Sequence, residues 1–377
     1  MRDTENSELY REIPVEKEDT GSELMREPFN PAEINIKREF PTISKLVGML
    51  KKSPSEIDMN TNFQRSGDLW SPVQQSRLIE SILIKLPLPA FYFNAEDDNK
   101  WLVVDGLQRL SCLQNFIVKQ TLRLTGLEFL KDLEGKKYDD LERPLKRIID
   151  QTQVTAHVIN PGTPKKVKYN IFRRINTGGL ALEPQEIRHA LYQGVSSKFI
   201  HELANLSEFK AATENKINPK RMLDREFVNR FVAFYMTPPA DYSPDLESFL
   251  NDSLDKIDQK TKKELLLIKE SFRKSMSTAE KIFGSWAFRK ADQHPERRKP
   301  INKSVFEIWA VALASRSDTE RETLMLKREL VLEKFANLCQ TNHAFISAVS
   351  QATGDKTRVI KRFSEVEKLV KGILHDQ

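Results

Sequence analysis

The chain has 377 residues, of which 39% are hydrophobic and 30% charged, and its 60 basic and 54 acidic side chains leave a formal net charge of +6. This length exceeds the usual single hydrophobic core and predicts two packed domains. A charged fraction above the globular average is typical of helical proteins with long solvated faces. With 13 glycines and 2 cysteines, the composition excludes collagen-like and disulfide-stapled proteins.

The net charge is unevenly distributed along the chain. Residues 1–30 contain 9 acidic and 4 basic side chains, a charge of −5, so the rest of the chain carries +11. The polar, aperiodic start predicts a disordered tail over residues 1–33. The basic remainder is compatible with polyanionic partners, although charge alone does not identify them.

The two cysteines, Cys112 and Cys339, are far apart and have no metal-type or redox-type spacing. We interpret both as buried apolar residues in a reducing compartment. The start of the chain lacks the apolar stretch of a signal peptide, and no apolar segment is long enough to span a bilayer. These features predict a cytoplasmic protein without membrane contact.

The apolar pattern predicts an α+β half over residues 34–195 and a wholly helical half over residues 196–377. Predicted helices of the first half cover 43–50, 72–86, 165–175 and 184–194, and a further helix opens at 105–109. Predicted strands cover 90–93, 101–104 and 154–159. Ser71 and Pro72 give the second helix a clear start, as cap and first-turn residue. Helical runs of the second half cover 225–236, 246–257, 260–283, 303–314, 320–338 and 359–374.

Several common site signatures are missing from the sequence. It has neither GxxxxGK[ST] nor GxG, which excludes P-loop and Rossmann phosphate sites as sequence motifs. Six scattered histidines lack zinc-like spacing, and neither a GxSxG elbow nor an HNH nuclease motif occurs. Glu214 and Lys216 have the ExK spacing of many metal nucleases, but no preceding strand or acidic partner supports that interpretation.

Three segments combine unusual polar residues with tight backbone turns, at 62–70, 103–110 and 172–180. The second is the most informative, because a buried strand ends in Asp105-Gly106 and turns at once into a helix. Free N–H groups at a helix start attract phosphate oxygens, and glycine permits close backbone approach. In this interpretation Asp105 holds Mg²⁺, Gln108 orients a water and Arg109 clamps a phosphate.

A purely structural interpretation of the same turn stays open. Asp105 can cap the helix, and Arg109 can form an ion pair with Glu80 or Asp105 for stability alone. Taken by itself, the DGxxR pattern does not decide between the two.

The three segments together resemble the GmrSD-type restriction endonuclease N-terminal domain family, a member of the ParB/sulfiredoxin-like superfamily. The resemblance rests on FQR…LW…QSRLIESILIKLPLPAFYF, VVDGLQRLSCLQNF and FRRINTGGLALEPQEIRHALYQG, in that order, over roughly residues 34–195. The helical remainder also resembles the C-terminal region of stand-alone members.

This resemblance implies a ParB-like α+β domain with a small mixed sheet that binds a nucleoside triphosphate with Mg²⁺. Several relatives hydrolyse the nucleotide to control DNA cleavage in phage defence. The family's functional residues are assigned to the matching positions of this sequence. The implied catalytic residues are Asp105, Gln108 and Arg109, and the implied metal ligands are Asp105 and Glu80. The implied nucleotide-binding residues are Gln64, Arg65, Gln75, Arg77, Gly106, Arg174, Asn176 and Thr177. Gln75, Arg77 and Glu80 are expected on the exposed face of their helix.

The sequence departs from the family pattern in two ways. The motif most often reads DGQQR, whereas Leu107 occupies the third position here; the remaining motif residues are present. Many relatives also carry a C-terminal HNH nuclease domain, and this sequence has no such motif. The second departure argues against DNA cleavage by this polypeptide alone.

The helical half shows aromatic and basic clusters. Phe227, Phe231, Phe234 and Tyr235 recur at the spacing of a buried helix face, which predicts core packing. Basic groups lie at 165–174, 216–221 and 289–299. Two of them on one face would contact a DNA backbone, whereas each alone fits a solvated surface.

Three hypotheses follow from the sequence. The leading one is an NTP-binding, NTP-hydrolysing sensor or regulator of a restriction system, with a separate nuclease or modification subunit as partner and a homodimer as a reasonable assembly. The second is a metal-dependent nuclease that nicks DNA through Asp105 and Glu80. The third is a non-enzymatic scaffold that recruits a partner through the acidic tail and the helical half.

Overall fold

The computed structural model describes residues 14–20, 30–59, 70–97, 100–175, 182–291 and 298–375. They form two compact units. One unit spans Phe29–Leu191, and the other combines the described residues 14–20 with the chain from Tyr192 onward. The division between Leu191 and Tyr192 lies close to the boundary expected near residue 195.

The first unit is built on a five-stranded sheet with the order β1-β5-β3-β4-β2. The strands are β1 (Ile36–Glu39), β2 (Ile57–Asp58), β3 (Phe91–Asp97), β4 (Lys100–Asp105) and β5 (Ala156–Ile159). β3 pairs antiparallel with β4 and parallel with β5, while β1 is antiparallel to β5 and β2 is parallel to β4. The sheet is therefore mixed, and the predicted α+β class is confirmed.

Helices cover both faces of this sheet. They are α1 (Ile43–Lys51), α2 (Pro72–Leu83), α3 (Leu107–Leu113), α4 (Arg143–Gln151), α5 (Lys165–Ile175) and α6 (Pro184–Leu191). Successive strand side chains point to opposite faces. Phe93 and Val103 therefore join the core shared with α1 to α4, whereas Ile159 joins the core beneath α5 and α6.

The start of α2 confirms the predicted cap at Ser71 and the predicted first-turn position of Pro72. The Ser71 hydroxyl accepts from the Gln74 backbone N–H at 3.3 Å, and the Gln74 side chain accepts from the Ser71 N–H at 2.9 Å. This reciprocal capping box satisfies two of the free donors at the helix start, with Pro72 in the first position. α2 ends at Leu83, earlier than predicted, and Lys85 adopts a left-handed φ of 63°.

The second unit contains ten α-helices among its described residues. They are α7 (Val195–Ala204), α8 (Ser207–Ala212), α9 (Leu223–Met236), α10 (Leu246–Asp258), α11 (Lys262–Phe283), α12 (Lys303–Ala314), α13 (Asp318–Leu326), α14 (Arg328–Thr341), α15 (His343–Ser350) and α16 (Lys356–His375). Phe227, Phe231 and Phe234 are buried on α9, which confirms the predicted core packing for these three, whereas the fourth aromatic residue, Tyr235, is only partly buried. Across the described ranges, no helix is both long and apolar enough to cross a membrane.

Residues 14–20 correct the expectation of a disordered tail over 1–33. Val15 forms a parallel β-bridge with Ile301, and the Glu16 N–H donates to the Ile301 carbonyl at 2.8 Å. At the other end of the segment, the Thr353 N–H donates to the Asp19 carbonyl at 2.9 Å. The sequence did not predict order in this segment, because few of its residues are apolar and its contacts are with charged residues distant in sequence.

Glu18 anchors the segment in a buried network of charges. It lies 2.5 Å from the Arg230 guanidinium, which also binds Glu307 at 2.7 Å and Glu226 at 3.1 Å. Lys303 binds Glu226 at 2.7 Å and Arg362 binds Glu307 at 2.8 Å, so three cations face three carboxylates. The network is charge-balanced only while Glu18 is in place.

Burial acts to raise the pKa of Glu18, but Arg230 and Lys303 lower it below its ordinary value of 4.5. We predict that Glu18→Gln lowers the free energy of unfolding by about 3 kcal/mol, because it leaves a buried cation uncompensated. Urea denaturation measures this, with the exposed neighbour substitution Lys17→Gln as the control. Since the folded-state pKa is depressed, the deficit is complete above pH 4.5 and shrinks as pH falls through that pKa. Equal stability of Glu18→Gln and Lys17→Gln at pH 7 would contradict the network.

Candidate functional site

The turn between β4 and α3 depends on glycine. Gly106 has φ +103°, a conformation that side chains rarely adopt, and a Cβ there would overlap the ring of Phe91. Gly106 occupies the N-cap position of α3, and its carbonyl accepts from the Leu110 N–H at 2.9 Å. The chain therefore reverses from a buried strand into a helix without an intervening loop, as the sequence predicted.

A register shift in the sheet directs Asp105. Phe93 lies opposite Val103, but the preceding residue Tyr92 lies opposite Asp105, so β4 carries one extra residue, Val104, at this point. Such bulges turn a side chain to a new direction and are frequent beside functional sites. Because directly opposed residues share a face, Asp105 lies on the same side of the sheet as Tyr92.

Arg109 stabilises the position of Asp105 through several polar contacts. Its guanidinium donates to the Asp105 carboxylate at 2.7 Å and to the Ala90 carbonyl at 3.3 Å, and also to the Pro89 carbonyl. The guanidinium carbon lies 4.5 Å from the centre of the Phe91 ring. Burial lowers the pKa of Arg109, and the adjacent Asp105 opposes that effect.

These contacts change the role expected for Arg109. Its side chain is 9% exposed, whereas that of Asp105 is 37% exposed. The guanidinium is committed to one carboxylate and two carbonyls, so it positions Asp105 and the strand before it rather than reaching outward as a phosphate clamp. Asp105 is the member of the pair that a ligand can reach.

Gln108 connects the turn with the first motif. Its side-chain oxygen accepts from the Trp70 N–H at 3.3 Å, and the Trp70 carbonyl accepts from the Gln75 amide at 3.0 Å. Gln75 also accepts from the Asn115 side chain at 3.2 Å. The end of the first motif is thereby fixed beside the start of α3, and Gln75 is buried rather than exposed.

Leu107, the departure from the family pattern, is 5% exposed and belongs to the core shared with α1 to α4. Its side chain points inward, so this departure leaves the ligand-accessible side of the turn unchanged.

Glu80 corrects the predicted metal site. It is buried, and its carboxylate accepts three backbone N–H bonds, from Glu128 at 3.0 Å, Phe129 at 2.7 Å and Leu130 at 2.8 Å. Burial acts to raise the pKa of Glu80, but these three donors lower it below its usual value. The carboxylate is therefore the anchor of the 128–130 loop, and the hydrogen bonds that it accepts come from that loop.

Arg77, one turn earlier on α2, is exposed as predicted but also contacts this loop region. Its guanidinium lies 2.9 Å from the Glu128 carboxylate and donates to the Gly126 carbonyl at 3.5 Å. In the described structure Arg77 is thus engaged at the loop rather than at the Gly106 turn.

A row of polar residues that sequence reasoning missed crosses the sheet beside Asp105. Tyr92 on β3 lies opposite Asp105 on one side and His157 of β5 on the other, and His157 in turn lies opposite Arg38 of β1. The rings of Tyr92 and His157 stack with centroids 4.8 Å apart. Burial and the neighbouring Arg38 lower the pKa of His157. No sequence signal pointed to this row, because its members come from four separate strands.

The remaining predicted site residues divide into two groups. Arg174 is exposed near the C-terminal end of α5. Gln64, Arg65, Asn176 and Thr177 lie outside the described residues.

The weaker metal and polyanion signals have structural explanations. In the described ranges, no group of three or more His, Cys, Asp or Glu residues could hold a metal ion. Glu214 of the ExK pattern forms an ion pair with Arg298 at 2.7 Å, and Lys290 pairs with Glu16 at 2.7 Å. The basic group at 289–299 is therefore partly neutralised by carboxylates, and Arg289 within it is buried.

Residues 43–193 match the family model of the GmrSD restriction endonuclease, N-terminal domain. The match includes all three polar segments and confirms the resemblance that they indicated. No curated protein and no solved structure matches the chain.

We predict that Gly106→Ala lowers the free energy of unfolding by about 3 kcal/mol, through the left-handed backbone and the overlap with Phe91. Gly48→Ala is the matched control. Gly48 lies within α1, and a methyl group added there would meet no atom within 4 Å, so alanine should raise stability by about 0.5–1 kcal/mol. Thermal and urea unfolding measure both. Equal effects of the two substitutions would contradict the constraint at the turn.

Proposed function

We propose that the domain at residues 43–193, which matches the GmrSD restriction endonuclease N-terminal family model, is part of a restriction system. In this proposal the domain binds a nucleoside triphosphate with Mg²⁺ at the Asp105–Arg109 turn. Binding and hydrolysis of the nucleotide then regulate a response against foreign DNA. The DNA-cleaving or modifying activity resides in a separate subunit.

The observation that carries the proposal is the geometry around Asp105. A buried arginine, a bulge in β4 and an obligatory glycine together direct one half-exposed carboxylate to the start of α3. A helix start needs only a cap for stability, and a serine or asparagine would supply it without burying a guanidinium. A fixed carboxylate beside a helix start instead suits a ligand that combines phosphate with a divalent cation.

Each group at the turn has a defined role in the proposed complex. Backbone N–H groups at the start of α3 donate to phosphate oxygens, and the Gln108 amide contributes a donor that does not titrate. Asp105 would supply the protein carboxylate for Mg²⁺, and the bound ion would offset the negative charge of the phosphates. Sites for Mg²⁺ commonly use one or two carboxylates together with substrate phosphates, so a single Asp105 is sufficient. Arg109 is a positioning residue that keeps the Asp105 carboxylate oriented.

Additional contacts are proposed from the family pattern. Gln64 and Arg65 belong to the first motif, and its last residue, Trp70, donates its backbone N–H to the Gln108 side chain. Arg174 and the adjoining Asn176 and Thr177 contribute to the phosphate end of the site. Arg173 and Arg174, both exposed, are also available to a DNA backbone.

The nuclease alternative is weaker than the nucleotide-binding proposal. A nicking site at this turn needs a second acidic ligand for the metal, and the expected one, Glu80, is committed to three backbone N–H groups.

The scaffold alternative relied on an accessible acidic tail, whereas Glu16 and Glu18 are engaged by cations of the helical unit. We also propose that the chain forms a homodimer, as the ParB-like superfamily implies.

We predict that Gln108→Glu weakens binding of Mg²⁺–NTP at least tenfold, because it places a negative charge beside the phosphates at nearly unchanged volume. Isothermal titration with each of the four common NTPs measures the effect. The matched control is Gln74→Glu on α2, which makes the same chemical change at an exposed capping position where glutamate is favoured. Gln74→Glu should bind within twofold of wild type.

Asp105→Asn should remove most of the Mg²⁺ dependence of nucleotide binding, since it deletes the one carboxylate proposed to face the ion. Titrations with and without Mg²⁺ test this directly. Absence of binding of all four NTPs to the wild type, or equal affinities of Gln108→Glu and Gln74→Glu, would refute the proposed site.

A further inference from the structure

The polar row across the sheet has donor groups that the protein itself does not use. Within the described part of the chain, no hydrogen bond or ion pair engages the Arg38 guanidinium, the His157 ring nitrogens or the Tyr92 hydroxyl. Tyr92 and His157 are partly exposed and Arg38 is exposed. Each of these groups can donate a hydrogen bond, and the arginine is always charged.

The sheet holds these three residues in line with Asp105. Opposed residues share a face, so the register Arg38–His157–Tyr92–Asp105 is one continuous row over β1, β5, β3 and β4. Neighbouring strands are about 4.8 Å apart, so the row extends about 10 Å from Tyr92 to Arg38. Tyr92 also lies close enough to Arg109 to influence its pKa. The row therefore begins at the proposed nucleotide site.

The charges along the row favour an anion. Asp105 is its one acidic member, and Arg109 neutralises that carboxylate. The neighbours of Arg38 on β1 point to the other face, where Lys37 and Glu39 pair with each other at 2.9 Å. Arg38 itself rests on the ring of Phe40 at 4.9 Å, a contact that orients the guanidinium without using its N–H donors.

We infer that Arg38, His157 and Tyr92 form a phosphate-binding row, which receives the polyphosphate of a ligand whose other end lies at the Asp105–Arg109 turn. The inference deepens the proposed function and rests on it for the identity of the ligand. The stacked Tyr92 and His157 rings keep their edges, with the phenolic O–H and a ring N–H, toward the phosphates. Arg38 closes the row with a permanent positive charge and two parallel donors.

If Tyr92 served only in packing, its substitution would give a different result. The Tyr92 ring contributes to the core beneath α5 and α6, and that contribution survives removal of its hydroxyl. Phosphate contact predicts a loss of affinity from Tyr92→Phe with unchanged stability, whereas packing predicts no change in either. The hydroxyl substitution therefore separates the two roles without risk to the fold.

The test is isothermal titration of the full-length chain with inorganic tripolyphosphate, a probe that carries the phosphates without a base. Arg38→Gln should weaken binding about 5- to 20-fold and reduce its dependence on salt, because it removes one charged contact. Tyr92→Phe and His157→Gln should each weaken binding about 3- to 10-fold. The matched control is Lys37→Gln, which removes the same charge one residue away on the opposite face and should stay within twofold of wild type.

Titration of the same variants with Mg²⁺–NTP distinguishes this inference from the proposed function. Row-dependent binding of tripolyphosphate without any NTP binding supports the row and refutes the proposed function. NTP binding that is unaffected by all three row substitutions supports the proposed function and overturns the row. The inference is also overturned if wild type does not bind tripolyphosphate, or if Lys37→Gln loses as much affinity as Arg38→Gln.

Discussion

The buried contact between Arg109 and Asp105 is the interaction on which the candidate site of the first unit depends. One guanidinium ties together the end of β4, the start of α3 and the carbonyls before β3. Because it is almost completely buried, its charge requires Asp105, and Asp105 in turn is held in a single direction. The bulge and Gly106 supply the backbone geometry that this pair needs. A half-exposed carboxylate of fixed orientation results.

The helical unit uses buried charge for a different purpose. There, Arg230 joins three carboxylates, one of them contributed by Glu18 from near the start of the chain. Removing any member leaves an unbalanced charge in a low-dielectric interior, so the segment is an integral part of that unit's core. In the first unit a buried ion pair fixes the direction of a half-exposed carboxylate, whereas in the second a closed network secures an otherwise polar segment.

Local signals were the predictable part of this structure. The Ser71 cap, the aromatic face of α9 and the sharp turn at Gly106 each depend on residues close in sequence, and all three are present. Long-range pairing was not predictable. The polar row arises from the register of four strands. The hydrogen bonds from Glu80 to a loop almost fifty residues away depend on how α2 packs. Neither strand register nor helix packing leaves a periodic pattern in a single sequence.

Hydrogen–deuterium exchange of the full chain, with and without Mg²⁺–NTP, tests the proposed nucleotide site most directly, because it reports on the backbone amides that are proposed to hold the phosphates. We expect slower exchange in peptides that contain residues 106–110, with little change in peptides from α9 to α16. Unchanged exchange at 106–110 under conditions where nucleotide is bound, with protection located elsewhere, would contradict the proposed site.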